Sequence, residues 1–104
     1  MNQAHFPDKI RSLPIFKGRF DANRLITEDV DIYFASYPKH TEIEAHQHDT
    51  DNYGVVTQGK LILIVNGEEK YFNTGDWYHL TPNQVHAAKF AEDSSIVEFW
   101  FKSA

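Results

Sequence analysis

The sequence predicts an all-β fold built from a meander of short antiparallel strands. β-Branched and aromatic residues are concentrated in the second half of the chain, where glycine interrupts them at regular intervals. Asn66-Gly67 separates the apolar run at 61–65 from a second predicted strand segment at 69–72. This dipeptide predicts a two-residue hairpin, because a type I′ turn needs positive φ at both central positions.

The remaining elements follow in chain order. Residues 1–18 are predicted to form an N-terminal arm that lies across the barrel as an edge strand or a subunit contact. The barrel is predicted to begin at 25–27. A turn at 73–76 precedes a strand at 77–80, which ends before Pro82, and the last strand is predicted at 95–101.

Composition limits the classes of protein. The 104 residues leave room for a single domain over 1–104, and 41% hydrophobic residues with 14% aromatic residues supply its core. A net charge of -5 argues against nucleic acid or an anionic membrane as partner. The chain has no cysteine, which excludes disulfides, thiolate ligands and a cysteine nucleophile. Its start lacks the apolar run of a signal peptide, so a cytoplasmic location is the expectation.

Three histidines indicate a metal site. His46 and His48 are two residues apart, and side chains at this spacing point to the same face of a strand. They can therefore share one ion, and the chain carries a further histidine at His86. Neutral imidazole suits zinc, iron, nickel and copper, and an added oxygen ligand extends the choice to manganese. Three nitrogens and one oxygen leave positions open to water or substrate, which is typical of catalytic sites.

The order of motifs resembles that of the cupin superfamily over residues 26–101. The matching features are, in order, His46-Gln47-His48, Gly59, Gly75-Asp76, Thr81-Pro82-Asn83 and His86. The resemblance implies a single-domain cupin β-barrel, a jelly-roll-like antiparallel sandwich, that holds a divalent transition metal such as zinc, iron, nickel or manganese. It also implies that His46, His48 and His86 are the metal ligands.

Five positions depart from the family pattern. The family's glutamate or glutamine ligand is replaced by Asn52, which is therefore the candidate for a fourth ligand or for an outer hydrogen-bond partner. Two family glycines are His40 and Asn83, and the first proline of the second motif is Thr81. Phe90 stands where the family has an asparagine.

Two further residues are candidate catalytic groups. Glu98 lies in an apolar strand and shares a face with Ile96 and Trp100 by alternation. If that face lines the barrel, burial raises the pKa of Glu98 and a nearby cation lowers it, which makes Glu98 a candidate general acid or base. If Leu80 points inward, Tyr78 does so too, and its hydroxyl is available to a ligand.

The spacing from His86 to Glu98, with an aromatic residue two positions later, resembles small cupins of the pectin-degradation type. Those proteins act on unsaturated uronates with an aspartate and an aromatic residue at corresponding places. Here a glutamate replaces the aspartate, and the proline-rich tail is missing.

The resemblance favours a metal-dependent enzyme of isomerase or lyase type that acts on a small oxygen-rich molecule such as a sugar acid. The alternatives are a ferrous-iron dioxygenase and a non-catalytic module that binds or senses a ligand. In each case the expected partner is a small molecule, with no nucleic acid or membrane. The chain is also expected to form a homodimer through its arm or an edge strand.

Overall fold

The protein consists of two antiparallel sheets that face each other, with one short helix before them. The structure, a computed structural model, describes residues 6–17 and 20–102. Its elements are α1 (Asp8–Arg11), β1 (Ile15–Lys17), β2 (Asp21–Ile26), β3 (Val30–Tyr37), β4 (Glu42–His46), β5 (Asp51–Gln58), β6 (Lys60–Val65), β7 (Glu68–Asn73), β8 (Trp77–Leu80), β9 (His86–Lys89) and β10 (Ser94–Phe101).

One sheet has six strands in the order β1-β2-β3-β10-β5-β8, and the other has four in the order β4-β9-β6-β7. Non-consecutive neighbours such as β3 and β10 mean that the chain crosses between the sheets, as in a jelly roll. The predicted all-β antiparallel sandwich is confirmed.

The core fills the space between the sheets. Residues of alternating position along each strand point inward, as the pleat requires. From the six-stranded sheet these include Tyr33, Ala35, Val56 and Ile96, and from the other sheet they include Leu61, Leu63, Val65 and Ala88. Each is buried, so the two inner faces form one continuous apolar layer.

The predicted hairpin at Asn66-Gly67 is confirmed. Val65 at the end of β6 pairs with Glu68 at the start of β7, which leaves a two-residue loop. The φ angles are 53° at Asn66 and 77° at Gly67, as a type I′ turn requires. The strand predicted at 77–80 is β8 with the same bounds.

The predicted start of the barrel at 25–27 is wrong, because β2 begins at Asp21. The first residues of β2 include polar side chains, so the pattern of apolar residues does not indicate a strand there. Asn23 is buried in spite of its amide, and its Nδ2 donates hydrogen bonds to the carbonyl oxygens of Leu13 (2.9 Å) and Arg11 (3.1 Å). The N-terminal arm thus satisfies a polar group that would otherwise be costly to bury.

That arm was predicted as an edge strand or a subunit contact. Within it, β1 is the edge strand of the six-stranded sheet and pairs with β2. Residues 1–5 and 18, which the predicted arm also includes, lie outside the described residues.

Two of the departures from the cupin pattern have a left-handed backbone conformation. His40 and Asn83 stand at the two glycine positions, and their φ angles are 71° and 63°. Asparagine and histidine are among the residues that adopt this left-handed conformation most readily. The backbone N–H of Asn83 donates to the carbonyl oxygen of His48 (2.6 Å), so its turn is fastened to the loop that carries that histidine.

Gly59 and Gly67 allow a direct test of how the fold uses glycine. Both have positive φ, at 75° and 77°. A Cβ at Gly59 would lie 2.3 Å from Ser94 Oγ and 2.4 Å from the Asp93 carbonyl oxygen, whereas one at Gly67 would meet nothing within 4 Å.

Gly67→Ala should therefore lower the free energy of unfolding by about 1–2 kcal/mol through backbone strain alone. Gly59→Ala should cost clearly more, because the β5–β6 turn must also move away from β10. Denaturant unfolding of both variants checks this, and equal losses would contradict it.

Candidate metal centre and active site

The site residues predicted from the sequence line one cavity between the two sheets. Its volume is about 50 Å³, room for an ion with a few small ligands. The polar residues of its lining are His46, His48, His86, Asn52, Glu98, Tyr37 and Tyr78. The apolar residues that complete the lining include Phe90, Ile96, Leu61 and Trp100.

The three histidines converge because of one strand pairing and one loop. His46 is the last residue of β4 and lies opposite His86, the first residue of β9. The prediction that one strand carries both His46 and His48 is wrong for His48, since β4 ends at His46 and His48 lies in the following loop. Its ring nevertheless lies 4.8 Å from that of His46 and 5.4 Å from that of His86, measured between centroids.

Hydrogen bonds to the backbone fix the tautomers of two of these rings. The Nδ1 atom of His46 lies 2.7 Å from the carbonyl oxygen of Glu44, and that of His86 lies 2.9 Å from the carbonyl oxygen of Gln84. A carbonyl oxygen only accepts, so in each neutral ring Nδ1 carries the proton and Nε2 carries the lone pair. This is the arrangement that orients histidine ligands in metal sites.

The donor set fits a divalent transition metal. One nitrogen from each of His46, His48 and His86 can be chosen so that all lie within 4.8 Å of one another. Bonds of about 2.0–2.1 Å at tetrahedral angles would place the nitrogens about 3.4 Å apart, so binding would draw the rings closer together than they lie here. Three neutral nitrogens suit zinc, iron, nickel or copper, and an added oxygen ligand would extend the choice to manganese, so the donor set does not select one metal.

Asn52 lies in the same cavity and is buried. It is in register with Trp100 on β10 and with Leu80 on β8, so its side chain shares their inner face. Its Oδ1 accepts a hydrogen bond from the Thr50 hydroxyl (2.6 Å). An amide oxygen has two lone pairs, so this bond holds the group while leaving one lone pair for a ligand.

Glu98 is a buried carboxyl group in this cavity. Its side chain points inward with those of Ile96 and Trp100, as alternation along the strand requires. The Trp100 indole Nε1–H donates to Glu98 Oε1 (3.1 Å), and the Tyr37 hydroxyl donates to Glu98 Oε2. Burial raises the pKa of Glu98 above its ordinary value, while these two hydrogen bonds act in the opposite direction.

Tyr37 was not among the residues predicted for the site. It is the last residue of β3, and 61 positions separate it from Glu98 in sequence. Burial, and then the adjacent Glu98 carboxylate, raise the pKa of Tyr37 well above its ordinary value, so the phenol stays protonated as a donor. Phe90 stacks on the Tyr37 ring with centroids 4.3 Å apart and an angle of 10°. The aromatic residue at the family's asparagine position therefore supports the group that holds Glu98.

Tyr78 lies on the other side of Glu98. In the transverse row of the sheet, Glu98 is in register with Gly54, and Gly54 is in register with Tyr78. The Tyr78 ring occupies the space that a side chain at Gly54 would fill, since a Cβ there would lie 2.3 Å from Tyr78 Cζ. Burial and the nearby Glu98 raise the pKa of Tyr78 well above its ordinary value. Its hydroxyl is thus a neutral hydrogen-bond donor or acceptor and not a base at neutral pH.

Trp100 connects the histidines to the carboxylate. Its ring lies 4.3 Å from that of His48 between centroids, while its Nε1–H holds Glu98. His79, by contrast, is exposed on β8 and stays outside the cavity. Its Nε2 lies 2.6 Å from Asp51 Oδ1, at hydrogen-bond distance.

Comparison with known proteins identifies the class. A family model described as a cupin domain matches residues 33–101, and the chain therefore belongs to the cupin family. No protein among the curated ones matches the chain.

Solved structures agree on the fold. An RmlC-like cupin from Shewanella frigidimarina has a TM-score of 0.79 and 19% identity, with 95% of this chain and 91% of that one covered. KdgF from Halomonas sp. has a TM-score of 0.74 and 20% identity, with 94% and 93% covered. A putative ethanolamine utilization protein, EutQ from Salmonella typhimurium, has a TM-score of 0.72 and 14% identity, with 81% and 70% covered. At these identities the likeness is one of fold.

Over 6–17 and 20–102, no helix has the length and apolar character needed to cross a bilayer.

The raised pKa of Glu98 predicts a specific dependence of stability on pH in the metal-free protein. Its stabilising contribution is present below the unfolded pKa and is lost as pH rises through the folded pKa, because the folded state then carries a buried charge. As pH rises above the ordinary carboxyl pKa and through the raised pKa of Glu98, wild type should lose stability relative to Glu98→Gln. Denaturant unfolding at several pH values measures the difference.

Glu69→Gln is the control for this experiment. Glu69 is on the surface, and its hydrogen bond to Lys89 lowers its pKa. The stabilising contribution of Glu69 should be present above its ordinary pKa and disappear as pH falls through the lowered pKa, so wild type loses stability relative to Glu69→Gln on acidification, opposite to Glu98. A Glu98→Gln difference that stays constant with pH would contradict the raised pKa of Glu98.

Proposed function

We propose that this cupin binds a divalent transition metal through His46, His48 and His86 and is an enzyme of isomerase or lyase type acting on a small oxygen-rich molecule such as a sugar acid. The observation that carries the proposal is the placement of Glu98, a buried carboxyl group that lines the same cavity as the three imidazoles. A site that only binds metal has no need for an ionisable group desolvated beside it.

The histidines and Asn52 have the role of holding the ion. His46 and His86 present Nε2 because their Nδ1 atoms are engaged with backbone carbonyl groups. Asn52 is the fourth ligand or an outer hydrogen-bond partner, held by Thr50. A metal bound there would supply Lewis acidity, polarising a carbonyl, hydroxyl or carboxylate oxygen of the substrate.

Glu98 has the role of moving the proton. As a carboxylate it accepts a proton from a substrate carbon or hydroxyl, and as a carboxylic acid it returns one to a neighbouring atom. Its two oxygens each accept one hydrogen bond, from Trp100 and Tyr37, so each keeps a lone pair for the substrate. A pKa raised by burial brings a carboxyl group nearer to neutral pH, where both protonation states are accessible.

Tyr78 has the role of orienting the substrate as a neutral hydrogen-bond partner. Its high pKa makes proton loss unfavourable, so of the two predicted catalytic residues Glu98 is the base and Tyr78 is the orienting group. The buried Gly54 beneath its ring leaves the space in which the phenol lies.

Cavity size limits the part of the substrate that enters. About 50 Å³ holds only a few non-hydrogen atoms, so the reacting carbonyl or hydroxyl group enters while the rest of a sugar acid lies towards His46 and His48, which are partly exposed. The uronate class is favoured by the resemblance of the Glu98 and Trp100 positions to cupins of the pectin-degradation type.

Metal content is the first test. Wild type, purified without an affinity column or added metal, should contain close to one equivalent of a transition metal. His48→Ala and His86→Ala should lose most of it, since each removes one of three nitrogens. His79→Ala is the matched control and should keep wild-type content, because His79 lies outside the cavity. Elemental analysis by mass spectrometry gives the result, and unchanged metal in both cavity variants would refute the ligand set.

A second experiment separates metal binding from proton transfer by Glu98. Glu98→Gln should keep its metal but lose turnover by about 10²–10⁴-fold, as removal of a general acid or base does. Glu69→Gln, on the protein surface, should be unaffected. Turnover is followed by proton NMR in D₂O on a panel of saturated and unsaturated uronates, where deuterium incorporation reports proton transfer at carbon.

The same panel distinguishes the alternative functions. Iron in the purified protein together with substrate-dependent oxygen uptake would replace the proposal with a ferrous-iron dioxygenase. Bound metal or ligand with no turnover on any member of the panel would favour a module that binds or senses a ligand without chemistry.

A further inference from the structure

An arginine lies on the inner face of the six-stranded sheet, in the same transverse row as Glu98. Arg24 on β2 is in register with Tyr33 on β3, and Tyr33 is in register with Glu98 on β10. Neighbouring strands are about 4.8 Å apart, so the α-carbons of Arg24 and Glu98 are about 10 Å apart. By alternation Arg24 shares its face of β2 with Ala22, a residue of the core. Its guanidinium therefore lies on the side of the sheet that carries the cavity.

Four aromatic rings connect this position to the cavity. We call them the aromatic wall, and its members are Phe16, Phe20, Tyr33 and Trp100. Phe16 lies 5.0 Å from Phe20 and 5.1 Å from Tyr33, and Tyr33 lies 4.5 Å from Trp100, measured between centroids. Phe20 and Trp100 also line the cavity. All but Tyr33 are partly exposed, so the aromatic wall offers a ligand an apolar surface that begins at the cavity.

Arg24 lies at the far end of the aromatic wall, away from the cavity. Its Cζ is 5.3 Å from the centroid of the Phe16 ring and 5.9 Å from that of the Tyr33 ring. Aromatic faces attract a cation, but they accept no hydrogen bond of the strength that a guanidinium N–H forms with oxygen. The two rings thus hold the guanidinium in place and leave its donors available.

The charge of Arg24 is not matched by an anion in the described part of the chain. None of the ion pairs found there involves Arg24, and its buried Nε has no hydrogen-bond partner there. Asp31 is the next inward residue of β3 after Tyr33, but it is paired with Lys102 at 3.0 Å. A half-buried cation without an acceptor is costly, so a ligand that supplies anionic oxygen atoms would offset that cost.

A carboxylate is the anion that fits Arg24 best. The planar fork of a guanidinium matches the two oxygens of a carboxylate in a bidentate pair. One arginine also balances the single charge of a carboxylate better than the charge of about -1.5 to -2 on a phosphate monoester. In a sugar acid, one sugar unit separates the carboxylate from the carbonyl or hydroxyl group at the other end. Two strand spacings separate Arg24 from Glu98.

We infer that Arg24 is a specificity-determining residue that binds the carboxylate of a sugar acid whose reacting group lies in the cavity. The inference rests on the proposed function, because it concerns the other end of the same substrate. It assigns two distinct tasks to the inner face. Glu98 acts on the reacting group, and Arg24 selects acids over neutral sugars.

Binding of a matched pair of sugars tests the inference. D-Glucuronate and D-glucose differ in the carboxylate, and isothermal titration calorimetry of the metal-containing protein measures the affinity for each. Wild type should bind glucuronate at least 10-fold more tightly, as a charge-assisted pair predicts. Arg24→Gln should abolish this preference and leave the affinity for glucose within about 2-fold of wild type. Arg24→Lys keeps the charge without the fork and should restore part of the preference.

Arg11→Gln is the matched control. Arg11 is an exposed arginine on α1 that pairs with Asp8, so its substitution should leave the preference for glucuronate unchanged. Circular dichroism melting shows that each variant is folded. Elemental analysis should find wild-type metal content in both Arg24 variants, which separates loss of the carboxylate contact from loss of the ion.

Three results would overturn the inference. The first is a wild type that does not prefer glucuronate, or an Arg24→Gln variant that keeps the preference. The second is a preference lost in His48→Ala and kept in Arg24→Gln, which would place the carboxylate on the metal. The third is tighter binding of glucose 6-phosphate than of glucuronate through Arg24, which would assign the residue to a phosphate.

These failures are distinct from failure of the proposed function. The proposed function depends on bound metal and on the loss of turnover in Glu98→Gln, and neither measurement involves Arg24. A preference for glucuronate that requires Arg24, in a protein without turnover, would support the carboxylate subsite and favour the module that binds a ligand without chemistry.

Discussion

The register of β10 is the constraint on which the rest of the molecule depends. This strand lies between β3 and β5 near the middle of the six-stranded sheet, so hydrogen bonds on both sides fix it. Alternation sends Ile96, Glu98 and Trp100 into the cavity and leaves Val97, Phe99 and Phe101 on the outer face. A slip by one residue would expose the carboxylate and bury the outer aromatic residues in its place. One strand therefore sets both the position of the proposed proton-transfer group and the apolar character of the outer face.

Burial of Glu98 costs free energy, and the cavity offsets that cost with donors that are neutral. Tyr37 and Trp100 each satisfy one carboxylate oxygen, but neither brings a positive charge. An arginine or lysine at the same distance would hold the pKa of Glu98 low and keep it ionised. Neutral donors stabilise the carboxylate less, so the pKa stays raised and the carboxyl group remains sensitive to a cation held by the nearby histidines.

Local sequence patterns predicted what depends on local geometry. Alternation placed Glu98 with Trp100, and the dipeptide at 66–67 predicted its hairpin, because both follow from period-two pleating or turn dihedral angles. Tyr37 could not be found in this way, since its contact with Glu98 spans 61 positions and arises only when β3 pairs with β10. The loop position of His48 was missed for a related reason. An i, i+2 spacing specifies a strand face only while the strand continues, and β4 stops at His46.

The departures from the cupin motifs are best understood by what each replaced residue had to do. At the two glycine positions the requirement is a dihedral angle, which His40 and Asn83 meet with positive φ. At the asparagine position an apolar ring replaces a polar amide. Phe90 brings no hydrogen-bonding group to the cavity and instead stacks on Tyr37. This exchange makes the surroundings of Glu98 more apolar and at the same time braces the phenol that donates to it. Both effects act on the carboxyl group on which proton transfer is proposed to depend, because desolvation raises its pKa and the braced donor fixes its orientation. The residue that weakens the motif match thus strengthens the chemical case for Glu98.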